Sequence, residues 1–446
     1  MSKPTALTDN KVITSNHEDM FRWPIISSED EEAVLDVLRH AAMSGTDITA
    51  QFECEFAAWQ KTKYALGTNN GTSAILSAMF GCGISAGDEV ICPSITYWAS
   101  CLPCFNLGAT PVFADIDPHT LCIDPADIEN RISDCTKAIV VVHYVGYPCD
   151  MDPIMEIAHK YDLKVIEDVS HAQGGLYKGK KLGTIGDVGA MSLMSAKAFA
   201  VGEAGMLVTD DLEIYERAVA FGHYEKFNSQ IQTPYLKPFA GLPLGGYKFR
   251  MHQMSSAVGR VQLKYYDQRI AEIQKAMNYF WDQLDGLPGI RAHRTDPGSN
   301  STMGGWYFPH GLYMPEELDG LSITRFCMAL QEEGCEMCSP GCNLPLHLHP
   351  LFNTCDVYGH GKPTRIAYTI RDIRQGAGSL QISEGIGKRT FAVPWFKHYK
   401  PEIIDEYVEA FRKTLSNYKT LLADDCGDPE QLGNWHFFSP HYSRGI

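Results

Sequence analysis

Residues 137–170, KAIVVVHYVGYPCDMDPIMEIAHKYDLKVIEDVS, decide the fold. KAIVVVHYVG is apolar almost throughout, as a strand covered on both faces should be. DMDPIMEIAHKYD opens on acidic residues and Pro153, which marks a helix start. KVIEDVS then reads as a second strand. Strand, helix and strand in succession predict a βαβ unit, and so a mainly parallel sheet in an α/β fold.

Working outward, KYALG, DEVICPS and TPVFADI are further strand-like segments. Residues 31–60 read as helices, with EEAVLDVLRHAAMSG spacing its apolar residues by three and four and closing on Gly45. From about residue 265 the character changes, and DQRIAEIQKAMNYFWDQLDG predicts a long amphipathic helix. The expected organisation is an N-terminal arm over 1–22, a large sheet domain over 23–265, a smaller α+β domain over 266–420 and an irregular extension over 421–446. A chain of 446 residues, 44% hydrophobic and 21% charged, can bury cores of that size.

A formal net charge of −16 argues against nucleic acid or an anionic membrane as the main partner. The first residues lack an apolar signal core, and no uncharged apolar stretch approaches a membrane span, so a cytoplasmic location is the default expectation. The fourteen cysteines are scattered, unlike a secreted disulfide framework, and most are expected as buried thiols. CLPC (Cys101, Cys104) has redox spacing but falls in what reads as a core helix. CEMCSPGC (Cys335, Cys338, Cys342), with Cys355, lacks the paired knuckles of a zinc ribbon, and no metal is expected.

Open parallel sheets bind ligands at the carboxyl ends of their strands, and that rule selects three places. In GTNNGTSAILSA, Gly71, Thr72 and Ser73 sit between a strand and a helix, where N–H groups and hydroxyls face an anion or simply cap the helix. Asp168 ends KVIED, either as a helix N-cap or as a carboxylate delivered to the ligand edge. Lys197 lies among small and apolar residues in SLMSAKAFAVGEAGMLVTDD, 192–211, where an amine either snorkels to solvent or acts as a nucleophile. Together an anion cradle, a carboxylate and a buried amine are what pyridoxal 5′-phosphate requires. Tyr97 and Trp98 of ITYWAS add an aromatic face at the same edge.

The chain resembles the DegT/DnrJ/EryC1/StrS family of sugar aminotransferases, of the aspartate aminotransferase fold (fold type I), from about residue 22 to about residue 415. The matching stretches include FRWPIISSEDEEAVLDVL, NNGTSAILSA, GDEVICPSITYWAS, GATPVFADID, the run from MDPIMEIAHKYD through GMLVTDD, GYKFRMHQMSSAVGRVQL and PLHLHPLF. The resemblance implies that Lys197 carries the cofactor as an imine and that Asp168 pairs with its pyridinium. It places Tyr97 against the ring, Thr72, Ser73 and Ser192 at the phosphate, and His171 beside the ring oxygen. His347 or His349 stands where a substrate-facing histidine occurs, or is a structural imidazole.

Some positions depart from the family pattern. Met191-Ser192-Leu193 replaces Phe-Ser-Phe, Glu203-Ala204-Gly205 replaces Glu-Gly-Gly, and Lys248 stands where many members carry an asparagine that reaches a neighbouring subunit's cofactor. Lys248, with VPWFK, is similar to the branch acting on keto-cyclitols. Retention of Lys197 disfavours the dehydratase chemistry of sister enzymes, which carry histidine there. The activity implied is ping-pong transamination from glutamine or glutamate to a nucleotide-linked keto-sugar or a keto-cyclitol, in a homodimer with shared active sites. A non-catalytic cofactor-binding or sensing protein, or another pyridoxal enzyme such as a lyase or desulfurase, is the alternative.

Overall fold

The computed structural model describes residues 11–435. Seven strands form the main sheet: β1 (Tyr64–Thr68), β2 (Glu89–Pro93), β3 (Thr110–Ala114), β4 (Thr136–Val142), β5 (Lys164–Asp168), β6 (Val188–Ser192) and β7 (Gly205–Thr209). Their spatial order is β1-β7-β6-β5-β4-β2-β3. β3, β2, β4, β5 and β6 run parallel, while β7 is antiparallel to both its neighbours. The loop from β6 to β7 carries no crossover helix, so the chain can only return antiparallel. The helix expected between β4 and β5 spans Met151–Tyr161 and buries Met151, Ile154 and Ala158.

This topology brings the carboxyl ends of distant segments into one row. Val142 pairs with Asp168, Asp168 with Ala190, and Ser192 with Gly205, which in turn pairs with Thr68. Ile139, Val140 and Val141 in β4 are fully buried, as its unbroken apolar run requires; truncating one to alanine would cost about 2–5 kcal/mol.

A second, three-stranded antiparallel sheet is made of β8 (Ile290–Ala292), β9 (His310–Tyr313) and β10 (Thr390–Ala392). One uninterrupted helix, Gln253–Leu284, runs across position 265, where a new domain was expected to begin. It packs against the helices Ser28–Arg39, Asp47–Gln60 and Pro401–Ser416. The residues expected as helical over 31–60 thus form two helices, separated around Gly45. Of the arm, residues 1–10 lie outside the described residues; Met20 is fully buried and accepts a hydrogen bond from Lys397 N at 3.2 Å. Of the extension, residues 436–446 also lie outside, and Gly433–Asn434 pairs in parallel with Cys342–Asn343. No helix among the described residues is long and apolar enough to cross a membrane.

Candidate active site

A cavity of about 350 Å³ opens at the carboxyl edge of the main sheet. One wall is the start of the helix Gly71–Gly81. Asn70 caps it, its Oδ1 accepting from Ser73 N at 2.8 Å. The N–H groups of Gly71 and Thr72 are left in the first turn without intrahelical partners, both at the cavity wall. The helix can come this close to β6 only because residue 71 is glycine. A Cβ there would lie 2.5 Å from Ser192 Cβ and 2.7 Å from Ser192 Cα. Ser192 lines the cavity opposite, held through its N–H, which donates to Ser170 Oγ at 2.9 Å.

Asp168 ends β5 inside the cavity at 5% exposure. Both readings of this carboxylate have a basis. Oδ1 accepts from Ser170 N at 3.0 Å, a local turn contact, whereas Oδ2 accepts from Ser100 Oγ at 2.7 Å across the cavity floor. Tyr97 lines the same space, its ring centroid 4.7 Å from that of Trp98.

Lys197 is 8% exposed, and its side chain enters the cavity. Its backbone is fixed from two sides, since Trp23 Nε1 donates to Lys197 O at 2.9 Å and Lys197 N donates to Met194 O at 2.8 Å. Burial lowers the amine from 10.5 to about 7, and the charge of Asp168 offsets only part of that. Lys197 Nζ stands 3.9 Å from the centroid of the Tyr307 ring. The His171 ring lies 4.8 Å from Tyr307, and its Nδ1 accepts from Val145 N at 3.3 Å, so the neutral ring carries its proton on Nε2. Burial, then the nearby Lys197 and His310, hold His171 well below the usual histidine range. The site therefore joins a neutral-capable amine, a carboxylate, ring faces and an anion-receptive helix start.

The cavity gathers Gly71, Thr72, Tyr97, Asp168, His171, Ser192 and Lys197, but not Ser73, Lys248 or His347. Ser73 spends its N–H on the Asn70 cap. Lys248 is exposed, 5.6 Å from the Tyr224 ring centroid. His347 is fully buried elsewhere, with Nδ1 2.7 Å from Ser94 Oγ and Nε2 3.0 Å from Glu384 Oε1, so it staples its loop to the end of β2. His347, read from sequence as either substrate-facing or structural, thus lies outside this cavity with both ring nitrogens partnered. Its neighbour His349 caps the short helix Pro350–Asn353 through its Nδ1. Cys101 flanks and Cys104 lies within a 3₁₀ segment, Leu102–Leu107, rather than an α-helix; both are buried, and burial raises both thiols. Cys335, Cys338 and Cys342 are likewise buried with raised thiols, and among the described residues no group of three or more His, Cys, Asp or Glu side chains is placed to hold a metal.

Several lining residues were given no role in the sequence reading, Asn70, Ser100, Glu203 and Tyr307 among them. Asn70 was signalled by its cap position before an apolar run, and Ser100 by the hydroxyl in YWAS. Glu203, whose carboxyl is raised by burial, lies in the motif already noted after Lys197. Tyr307 gave only the aromatic run WYF, far along the chain.

The profile of the DegT/DnrJ/EryC1/StrS aminotransferase family matches residues 24–412. The chain belongs to that family. This aminotransferase is 32% identical over 369 residues to the GDP-perosamine synthase of Caulobacter vibrioides, covering 80% of this chain and 96% of that protein. It is 31% identical over 346 residues to the L-glutamine:2-deoxy-scyllo-inosose aminotransferase of Streptoalloteichus tenebrarius, covering 74% and 79%. Among solved structures, the aminotransferase from Psychrobacter cryohalolentis superposes with a TM-score of 0.77 at 29% identity, covering 90% of this chain and all of that one. The fold is that of the pyridoxal-phosphate aminotransferases, and pyridoxal 5′-phosphate is the cofactor. The cavity's donor set fits that group: first-turn N–H groups and hydroxyls for a phosphate, a carboxylate for a ring N–H, and an amine for a carbonyl.

Proposed function

We propose that this aminotransferase moves an amino group from glutamine or glutamate to the ketone of a nucleotide-linked keto-sugar or a keto-cyclitol, in two half-reactions at one site. The observation that carries this reading is Lys197, a buried amine near 7 that shares one cavity with the Asp168 carboxylate. The names of the two relatives support the two acceptor classes, one a sugar and one a cyclitol.

Lys197 and Asp168 are the catalytic residues. Lys197 Nζ, once neutral, would take the proton from the donor's α-carbon and deliver it to the carbon that bore the cofactor's carbonyl; in the second half-reaction it would run the transfer backwards. The Asp168 carboxylate keeps a proton on the ring nitrogen. Bound pyridoxal phosphate supplies the electron sink and the carbonyl that stores the amino group between half-reactions. The N–H groups of Gly71 and Thr72, with the hydroxyls of Thr72 and Ser192, receive the phosphate; Ser73 contributes to the same helix turn. Tyr97 offers its face to the ring, and His171 Nε2–H a hydrogen bond beside it.

The active unit on this reading is a homodimer in which Lys248 serves the partner's phosphate. Its exposure and its absence from its own subunit's cavity support that placement. On the same reading the large and small domains meet along the helix Gln253–Leu284. Mixing Lys197→Ala with Lys248→Ala subunits tests the shared site, because one active site of each hybrid dimer would carry both intact residues; no recovery of activity on mixing contradicts sharing. The acceptor is tested by keto-acid release from glutamine and from glutamate, with keto-sugar nucleotides and inosose-like ketones offered separately. Turnover of neither class would contradict the proposal.

A further inference from the structure

Two buried hydroxyls lead in series into the carboxylate of Asp168. Thr96 Oγ1 lies 3.0 Å from Ser100 Oγ, and Ser100 Oγ lies 2.7 Å from Asp168 Oδ2. Exposures of 1%, 2% and 5% keep all three from bulk water. An ionised carboxylate only accepts, so the Ser100 hydroxyl must donate to Asp168. Ser100 Oγ then accepts from Thr96, and the direction of the chain follows: Thr96 to Ser100 to Asp168. With Ser170 N on Oδ1, each carboxylate oxygen has one donor, which fixes the plane of the group.

We infer that Ser100, aimed by Thr96, is the positioning residue that holds the Asp168 carboxylate in line with the ring nitrogen of the cofactor. The inference rests on the reading that Asp168 holds the ring proton. Among the described residues, the Ser100 hydroxyl is the hydrogen-bond donor on Oδ2 that keeps the carboxylate from turning about its terminal bond, a soft two-fold rotation. A charge-assisted hydrogen bond is strong enough to fix that angle, and a second hydroxyl feeding it strengthens the first. Both hydroxyls sit in the ITYWAS segment with Tyr97, so one stretch after β2 both faces the ring and sets the group at its nitrogen.

The test is the ¹⁵N resonance of ring-labelled pyridoxal phosphate bound to the enzyme, measured with the cofactor dissociation constant, in Ser100→Ala, Ser100→Thr, Thr96→Val and Asp168→Asn. Asp168→Asn moves the resonance to the unprotonated position. Ser100→Ala moves it part of the way and weakens cofactor binding about tenfold, the size expected for a lost hydrogen bond to a charged group. Thr96→Val produces a smaller change of the same kind, and Ser100→Thr, which keeps the hydroxyl, stays near wild type. A purely structural role for Ser100 would lower the thermal midpoint of the cofactor-free protein and leave the resonance in place, and that result overturns the inference. An unmoved resonance in Asp168→Asn overturns instead the reading of Asp168 on which it rests.

Discussion

Lys197 Nζ lies 3.9 Å from the centroid of the Tyr307 ring, although the two residues come from different segments far apart in the chain. The ring face favours the charged amine, while burial favours the neutral one, and burial wins, since the amine falls to about 7. That balance has a measurable consequence for stability. The amine's pKa is depressed in the folded chain, so between about 7 and 10.5 the unfolded state binds more protons. Stability rises with pH through that window, and the cost of burying the charge is fully present below 7. Lys197→Met should therefore stabilise the cofactor-free protein by a few kcal/mol at pH 6.5, with most of the gain gone by about pH 10. Urea midpoints at the two pH values check this.

Replacing Tyr307 by leucine removes the ring face and leaves the burial. The reactivity of Lys197 toward an amine-acylating reagent should then show its pH midpoint lower by about half to one unit, the worth of a cation–π contact of about 1 kcal/mol. Peptide mapping across a pH series reads that midpoint.

Much of this site is local in sequence, and that part was legible. Asp168 terminates the apolar strand β5, Lys197 follows β6, the next strand of the main sheet, and Gly71 opens a helix, so each could be placed at the sheet edge from its own window. Tyr307 could not be placed that way. It reaches Lys197 because Trp306 and Phe308 adopt φ of 55° and 53° on either side of it, and because Gly305 packs so closely that a Cβ would lie 2.2 Å from Ala198 Cβ. The start of the helix Gln253–Leu284 was missed for a similar reason. Its first turns bury Gln253, Ser256 and Gly259, which pack by hydrogen bonds and close approach and so show no apolar period. For His347 the sequence left both a substrate-facing and a structural reading open, because its partners, Ser94 and Glu384, lie on other elements.

Gly71→Ala tests the helix-to-strand contact. The new methyl would meet Ser192 backbone and Cβ atoms, none of which can swing aside as a flexible side chain could. Stability should fall by about 1–3 kcal/mol, and cofactor affinity should fall with it as the first turn is pushed off the cavity wall. A thermal melt with and without pyridoxal phosphate separates the two effects.

Acid sensitivity should come from buried histidines. Burial lowers His293 and His310 from 6.5 to about 4, and His223 to about 3. Their folded pKa values are depressed, so between 6.5 and 4 the unfolded state binds the extra protons and stability falls as pH falls. The loss approaches about 3 kcal/mol for each of His293 and His310 by pH 4. Urea midpoints should drop steeply from pH 7 to pH 5, and His310→Gln should flatten that slope.

The central claim is that Lys197 is the amine that bonds the cofactor. Borohydride reduction of the holoenzyme followed by peptide mass spectrometry tests it most directly. The account predicts pyridoxyl on Lys197 alone, and none in the Lys197→Ala protein, which should retain cofactor binding through the helix start and Asp168 while losing transamination by several orders of magnitude. Pyridoxyl on Lys180, Lys181 or Lys248, or wild-type turnover by Lys197→Ala, would contradict it.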